Sequence, residues 1–185
     1  LKEPLRGIHH FTQFLLEDHG EALGEEGLRK ARMIGTLAGH TNELLDSLSH
    51  FSKVGRMELH LREIDLNSLV SEVLLSLKVG LDEQNVEIRR TRPLPTIRCD
   101  SVLTREVFAN LIANAARYND KEQRFVEITW REPDPENGER GPVLIVRDNG
   151  IGIRDRNHDL VFQMFWRLNK NITGSCAGLA IVKLS

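Results

Sequence analysis

The hydrophobic pattern of this chain changes its period once, near residue 55, and that change restricts the fold to two unlike halves. In the first half Ile34, Leu37, Thr41, Leu44, Leu48 and Phe51 recur at alternating steps of three and four, the a/d spacing of a bundle or coiled-coil seam. The opening stretch "LKEPLRGIHHF" places Leu5, Ile8, Phe11 and, further on, Leu15 at helical spacing. Pro4 suits a first helical turn, where its missing N–H removes a donor that has no intrahelical acceptor. Between the two runs lies "EDHGEALGEEG", charged and punctuated by glycine, which predicts a turn. Two helices so joined form an antiparallel hairpin. A hairpin alone buries little, so a second copy is expected to complete a four-helix bundle, making the protein a homodimer.

Beyond Gly55 short segments of different period alternate. "MELHL" puts Met57, Leu59 and Leu61 on one face of a strand. "LNSLVSEVLLSLKVG" predicts a helix burying Leu69, Val70, Val73, Leu74 and Leu77. "VEIRR" and "TIRCD" read as short strands around the Pro93/Pro95 turn, and "SVLTREVFANLIANAARYND" as a helix capped by Asp100. "FVEITW" alternates as a strand, and "REPDPENGERG" is a polar turn. "PVLIVRDNG" is a continuous apolar run, which predicts a central strand. The expected fold class is therefore α+β. A helical-hairpin dimerisation domain over residues 1–55 precedes an α/β sandwich over residues 56–185, with a boundary near residues 53–58.

Composition narrows the function classes. Of 185 residues 40% are apolar and 28% charged, enough to bury a core, so the chain is not expected to be disordered. A net charge of −2, with no basic cluster and interleaved aromatics, gives no nucleic-acid footprint. No apolar run approaches the ~18 residues of a membrane span, and no signal peptide is visible. Direct membrane contact is not expected. Cys99 and Cys176 are far apart and lack metal spacing, as for reduced thiols in a cytoplasmic protein.

Three clusters carry chemistry. In "EVFANLIANAARY", Glu106, Asn110, Asn114 and Arg117 share a narrow polar stripe of a helix. An adjacent apolar stripe, with Val107, Phe108, Leu111, Ile112 and Ala115, must face the core. Amide oxygens beside a core are costly without partners; they suit a hard cation such as Mg²⁺, and Arg117 suits a phosphate. The same asparagines could instead cap neighbouring loops. In "DNGIGI", Asp148 is an acceptor for an exocyclic amine such as adenine's, and Gly150 and Gly152 let the backbone approach a ligand. An ordinary Asn-Gly turn would read the same way. In "VFQMFWRLNKNITGSCAGLAI", Gly174 and Gly178 flank a glycine loop leading into a helix from Leu179, whose N-terminus favours anions. A plain loop and amphipathic helix is the alternative. The order of all three within ~70 residues separates the readings.

In that order the second half resembles the ATP-binding domain of sensor histidine kinases, a fold shared with gyrase, the Hsp90 chaperone and MutL. Asn110-Leu-Ile-Ala-Asn114-Ala-Ala-Arg117-Tyr118 is similar to the N box and Asp148-Asn-Gly-Ile-Gly152-Ile to the G1 box. Phe162-Gln-Met-Phe165 is similar to the F box and Gly174 to Ile181 to the G2 box. The hairpin resembles the dimerisation and histidine-phosphotransfer domain, and "LKEPLR" resembles the tail of the H box in the phytochrome-like group. The resemblance implies an ATP-dependent protein-histidine kinase of a two-component system, with ATP and Mg²⁺. It places the adenine amine on Asp148, Tyr118 against the base, and Mg²⁺ on Asn110 and Asn114. Arg117 and the glycine loop would hold the phosphates. It also implies an upstream sensor domain, a response-regulator receiver domain as phosphoryl acceptor, and a hinge at Val54-Gly55-Arg56. The phosphate-accepting histidine is expected two positions before Leu1. His9 and His10 lie ~15 Å or more further along the helix, too far to take its place.

Two positions depart from the family pattern. Cys176 stands where the G2 box usually carries glycine, and Glu3 where many relatives have Thr or Asn. Both favour a second reading, a regulator-docking or phosphatase dimer with a weakened nucleotide site. A third, an ATPase of the gyrase or chaperone type, is disfavoured by the hairpin that precedes the ATP domain.

Overall fold

The computed structural model describes residues 2–54 and 58–163 together with Leu179 and Val182. Met57, the Gly55-Arg56 part of the expected hinge, Phe165, Gly174, Cys176 and Gly178 lie outside the described residues, as does the side chain of Phe51. Helix α1 (Lys2–His19) runs into a short 3-10 turn (Glu21–Leu23) and then the 31-residue helix α2 (Gly24–Val54). The reversal depends on two glycines. A Cβ on Gly20 would sit 2.5 Å from the Leu16 carbonyl oxygen, and Gly24 has φ +61°, where a side chain is strained.

The two helices pack closely through a line of small residues. Thr12, Ala31, Gly35 and Ala38 are all buried, and a Cβ on Gly35 would meet Thr12 Cγ2 at 3.4 Å. His9 belongs to this seam: its Nδ1 lies 3.2 Å from the Gly35 carbonyl oxygen. The a/d run expected to form the seam does not form it within the hairpin. Ile34, Leu37 and Leu48 are exposed, Leu37 by 58%. Small residues let the backbones approach, and that approach turns the larger side chains of both helices outward.

The second half holds two sheets. Strand β1 (Leu61–Asp65) pairs antiparallel with β3 (Thr96–Asp100). Strand β2 (Val86–Arg90) runs parallel to β4 (Arg124–Arg131), which pairs antiparallel with β5 (Val143–Asp148). Helix α3 (Leu66–Glu83) starts from an Asp65 cap and helix α4 (Ser101–Arg117) from an Asp100 cap. Both helices pack on the inner face of the larger sheet, where Leu66, Val70, Phe108, Ile112, Val126 and Ile128 form a core. Leu69 and Val73 are buried as expected, while Leu74 and Leu77 pack at its margin.

One sequence expectation needs correction. The strand expected at "MELHL" begins at Leu61, and Leu59 is an exposed residue before it. Only Ile64 of β1 turns toward the core, and Leu59 and Leu61 are both exposed. Among the described residues β4 is the middle strand of the order β2-β4-β5, and β5 has β4 as its one described neighbour. Its apolar run is half-buried, because an apolar stretch records coverage by neighbours and not how many strands flank it.

Candidate functional site

Helix α4 is set from its first turn. Asp100 Oδ1 accepts from the backbone N–H of Val102 (2.9 Å) and Leu103 (3.1 Å), satisfying two donors that no helical carbonyl can reach. Asp100 Oδ2 accepts from the His60 N–H at 2.9 Å. This tie joins the segment entering β1 to the start of α4. The His60 N–H and then the α4 N–H groups hold the Asp100 carboxyl below the usual carboxylate range, since each stabilises its charged form.

With that start, Leu103, Phe108, Ile112, Ala115 and Ala116 turn into the core. Val107 and Leu111, expected on the same stripe, are half-buried beside it. Glu106, Asn110, Asn114 and Arg117 follow along the half-buried edge. Among the described residues, neither asparagine side chain makes a hydrogen bond and Arg117 makes no ion pair. Loop-capping by Asn110 and Asn114 is therefore not seen there. It is performed by two asparagines that the sequence reading passed over, Asn119 and Asn149.

The DNGIG loop meets the end of α4 directly. Tyr118 caps the helix, its N–H donating to the Asn114 carbonyl at 2.9 Å, and its own carbonyl accepts from the Ile151 N–H at 3.0 Å. A Cβ on Gly150 would lie 2.3 Å from that same carbonyl oxygen, so only glycine permits the approach. Gly152 has φ +69° in open space. Asp148, exposed at the end of β5, accepts from the Gly150 N–H through Oδ1 at 2.8 Å, and its Oδ2 makes no hydrogen bond among the described residues. Asn149 packs inward: Oδ1 accepts from Asn119 Nδ2 (2.8 Å) and the Phe125 N–H (3.0 Å), and Nδ2 donates to the Gln123 carbonyl (2.8 Å). The sequence signal for this pair was present only as two turn-forming asparagines.

The structure thus joins two of the three clusters. The contact runs through Tyr118, the cap of the helix that carries Asn110, Asn114 and Arg117, whose carbonyl meets Gly150 and Ile151 in the loop after Asp148. Of the third cluster, Phe162 is exposed just after a 3-10 turn (Asp155–Asn157), and Leu179 is helical and half-buried. The rest lies outside the described residues. The donor set suits a ligand that carries anionic groups at one end and an amine donor at the other. Unpartnered amide oxygens accept a hard cation, a guanidinium meets anions, and a carboxylate oxygen awaits a donor. Among the described residues no His, Cys, Asp and Glu cluster has the makings of a metal site. A cation here would depend on the amides and the ligand's own oxygens. No described helix is long and apolar enough to cross a membrane.

Comparison with known proteins gives the same direction. Residues 99–185 match the family described as "Histidine kinase-, DNA gyrase B-, and HSP90-like ATPase". Over 99% of its length the chain is 42% identical to cyanobacterial phytochrome B of Nostoc sp. (strain PCC 7120), of which it covers 24%. Over 99% of its length it is also 30% identical to the methanogenesis regulatory histidine kinase FilI of Methanothrix harundinacea, covering 20%. These relatives are therefore at least four times as long as the region they share with it. Among solved structures it is similar to full-length ShkA in complex with AMPPNP: TM-score 0.66, 25% identity, 99% of this chain and 38% of that one. The Acinetobacter baumannii histidine kinase AdeS shares the fold at TM-score 0.62 and 22% identity, over 97% of this chain and 82% of that one.

Proposed function

From the premise that residues 99–185 belong to the histidine kinase-, DNA gyrase B- and HSP90-like ATPase family, in a chain whose relatives include phytochrome-like proteins and histidine kinases, we propose an ATP-dependent protein-histidine kinase module. In this reading residues 1–55 dimerise and continue the helix that carries the acceptor histidine, expected two positions before Leu1, and residues 56–185 bind ATP. An upstream sensor domain supplies the signal. A response-regulator receiver domain takes the phosphoryl group on an aspartate. The setting is the cytoplasm.

The observation that carries the proposal is the pairing of α4 with the DNGIG loop. Asp148 Oδ2 accepts the adenine amine, and Tyr118 lies along the base. Arg117 and the glycine loop from Gly174 to Gly178, with the helix start at Leu179, hold the phosphates; Phe162 and Phe165 belong to the F box that precedes that loop in the sequence. Asn110 and Asn114 would hold Mg²⁺, which neutralises phosphate charge when bound. A neutral imidazole nitrogen attacks the γ-phosphorus, the bond to the β-γ bridging oxygen breaks, and ADP leaves carrying that electron pair. Little covalent assistance is needed, so orientation of the nucleotide does most of the work.

The outward side chains of the hairpin support the dimer. Phe11, Phe14, Met33, Ile34 and Leu37 are each at least half exposed, an apolar face that a second copy would cover in a four-helix bundle. His9 is engaged in the hairpin seam, which supports a packing role for it. The deciding experiment is acid-labile phosphate incorporation from γ-labelled Mg-ATP into the full-length protein. Label that disappears when the acceptor histidine is changed to glutamine is expected. A folded dimer that takes up no label would replace this reading with the regulator-docking one, with Cys176 as the suspect.

A further inference from the structure

We infer that Asn119 and Asn149 are positioning residues that set base selectivity, by clamping the Asp148 loop to the end of the phosphate-side helix; this rests on the reading of the site as an ATP site. Tyr118 and Asp148 are 30 positions apart, and nothing in the chain's covalent path brings them together. Three segments must be aligned: the exit of α4, the start of β4 and the loop after β5. The Asn149 amide reaches all three. It uses both acceptor positions of Oδ1, on Asn119 and on the Phe125 N–H, and one donor of Nδ2, on the Gln123 carbonyl. Asn119 is 5% exposed, and its Oδ1 accepts from the Lys121 N–H at 3.1 Å, fixing its own rotamer. An amide group is needed at 149 because the position must accept twice and donate once. Aspartate would keep the acceptors and set its charge against the Gln123 carbonyl, while alanine would leave the Asn119 donor buried and unpaired.

The consequence for chemistry lies in Asp148. Asp148 is adjacent to Asn149, and among the described residues its side chain hydrogen-bonds within its own loop, to the Gly150 N–H. The clamp, together with the Ile151 N–H on the Tyr118 carbonyl, therefore holds the loop that carries its carboxylate at the end of α4. Asp148 is the group that distinguishes adenine, which offers an amine, from guanine, which offers a carbonyl at the same place. Disturbing the clamp should move the base reader while leaving the phosphate-binding side on α4 intact. Loss of general stability would weaken both nucleotides together.

The test compares ATP and GTP affinity in the full-length protein, by calorimetric titration, for the unaltered chain, Asn149→Ala, Asn119→Ala and the double variant. Asn149→Ala is expected to weaken ATP about tenfold and GTP far less, so that the preference for ATP collapses. The double variant should lose no more than the worse single one, because the two act as a unit. Asn149→Asp serves if the alanine variant does not fold, with the same loss of preference. An unchanged ATP-to-GTP ratio in a variant that folds and binds ATP would overturn this inference and leave the kinase reading standing. Failure of the unaltered chain to bind ATP would overturn both.

Discussion

Phe11 of the hairpin is 75% exposed and Phe108 of the α+β half is 1% exposed, although both stand on the apolar stripe of an amphipathic helix. In the α+β half the stripe of α4 meets α3 and the larger sheet, and the chain covers its own core. In the hairpin, the buried Thr12, Ala31, Gly35 and Ala38 bring two helices together with little apolar area between them, and the large side chains are left outside. The α+β half has a core of its own, although Leu75, Val79 and Val102 stay exposed on its helices. The other has a stripe whose coverage must come from elsewhere, so its contribution to stability is tied to assembly.

The largest expected contrast follows from that difference. Phe108→Ala should cost about 3–5 kcal/mol by denaturant unfolding, whereas Phe11→Ala should leave the unfolding of a dissociated chain within about 0.5 kcal/mol. Its effect should appear instead as a concentration-dependent loss of dimer in sedimentation. Equal costs for the two would break the comparison. Within the α+β half, Asn114→Ala should weaken Mg-ATP about a hundredfold, or ~2.7 kcal/mol. The melting temperature should hardly change, because the amide has no protein partner among the described residues to lose.

Gly150→Ala should do the opposite and strike stability first, by about 1–3 kcal/mol, since its Cβ would collide with the Tyr118 carbonyl. Gly35→Ala in the hairpin meets Thr12 only at 3.4 Å and should cost less. A pH-dependent effect concerns the Asp100 cap. Asp100→Asn keeps the oxygen that caps α4 but removes the charge and sets an amide donor against the His60 N–H, so it should cost about 1–2 kcal/mol at neutral pH. The folded-state pKa of Asp100 is depressed. Its charge therefore stabilises fully above the ordinary carboxylate pKa of about 3.9. That contribution fades as pH falls through the lower, folded-state value. Stability curves of the two proteins should converge in acid, and a constant gap down to the lowest pH would assign the cap no charge component.

Much of the site was legible because its parts are local. Asn110, Asn114 and Arg117 share a helix edge through steps of three and four, Asp100 caps by standing before the first turn, and Asp148-Asn-Gly-Ile-Gly is contiguous. The a/d run from Ile34 was legible as a face of α2, yet its spacing could not say which helix would meet that face. The apolar run of β5 showed a strand without showing its place in the sheet. The Asn119–Asn149 clamp was missed because a hydrogen bond between residues 30 positions apart leaves no periodic trace, and either asparagine alone reads as a turn.

Period, capping and contiguous motif were thus determined by the sequence itself, because each is decided within a turn or two of backbone by sterics and by hydrogen bonds to near neighbours. Which small-residue line closes the hairpin, which strand lies in the middle of the sheet, and what holds Asp148 beside α4 were decided only by tertiary structure. Each of these depends on surfaces distant in the chain competing for the same partners, and packing and hydrogen-bond satisfaction choose among them only when all are present together.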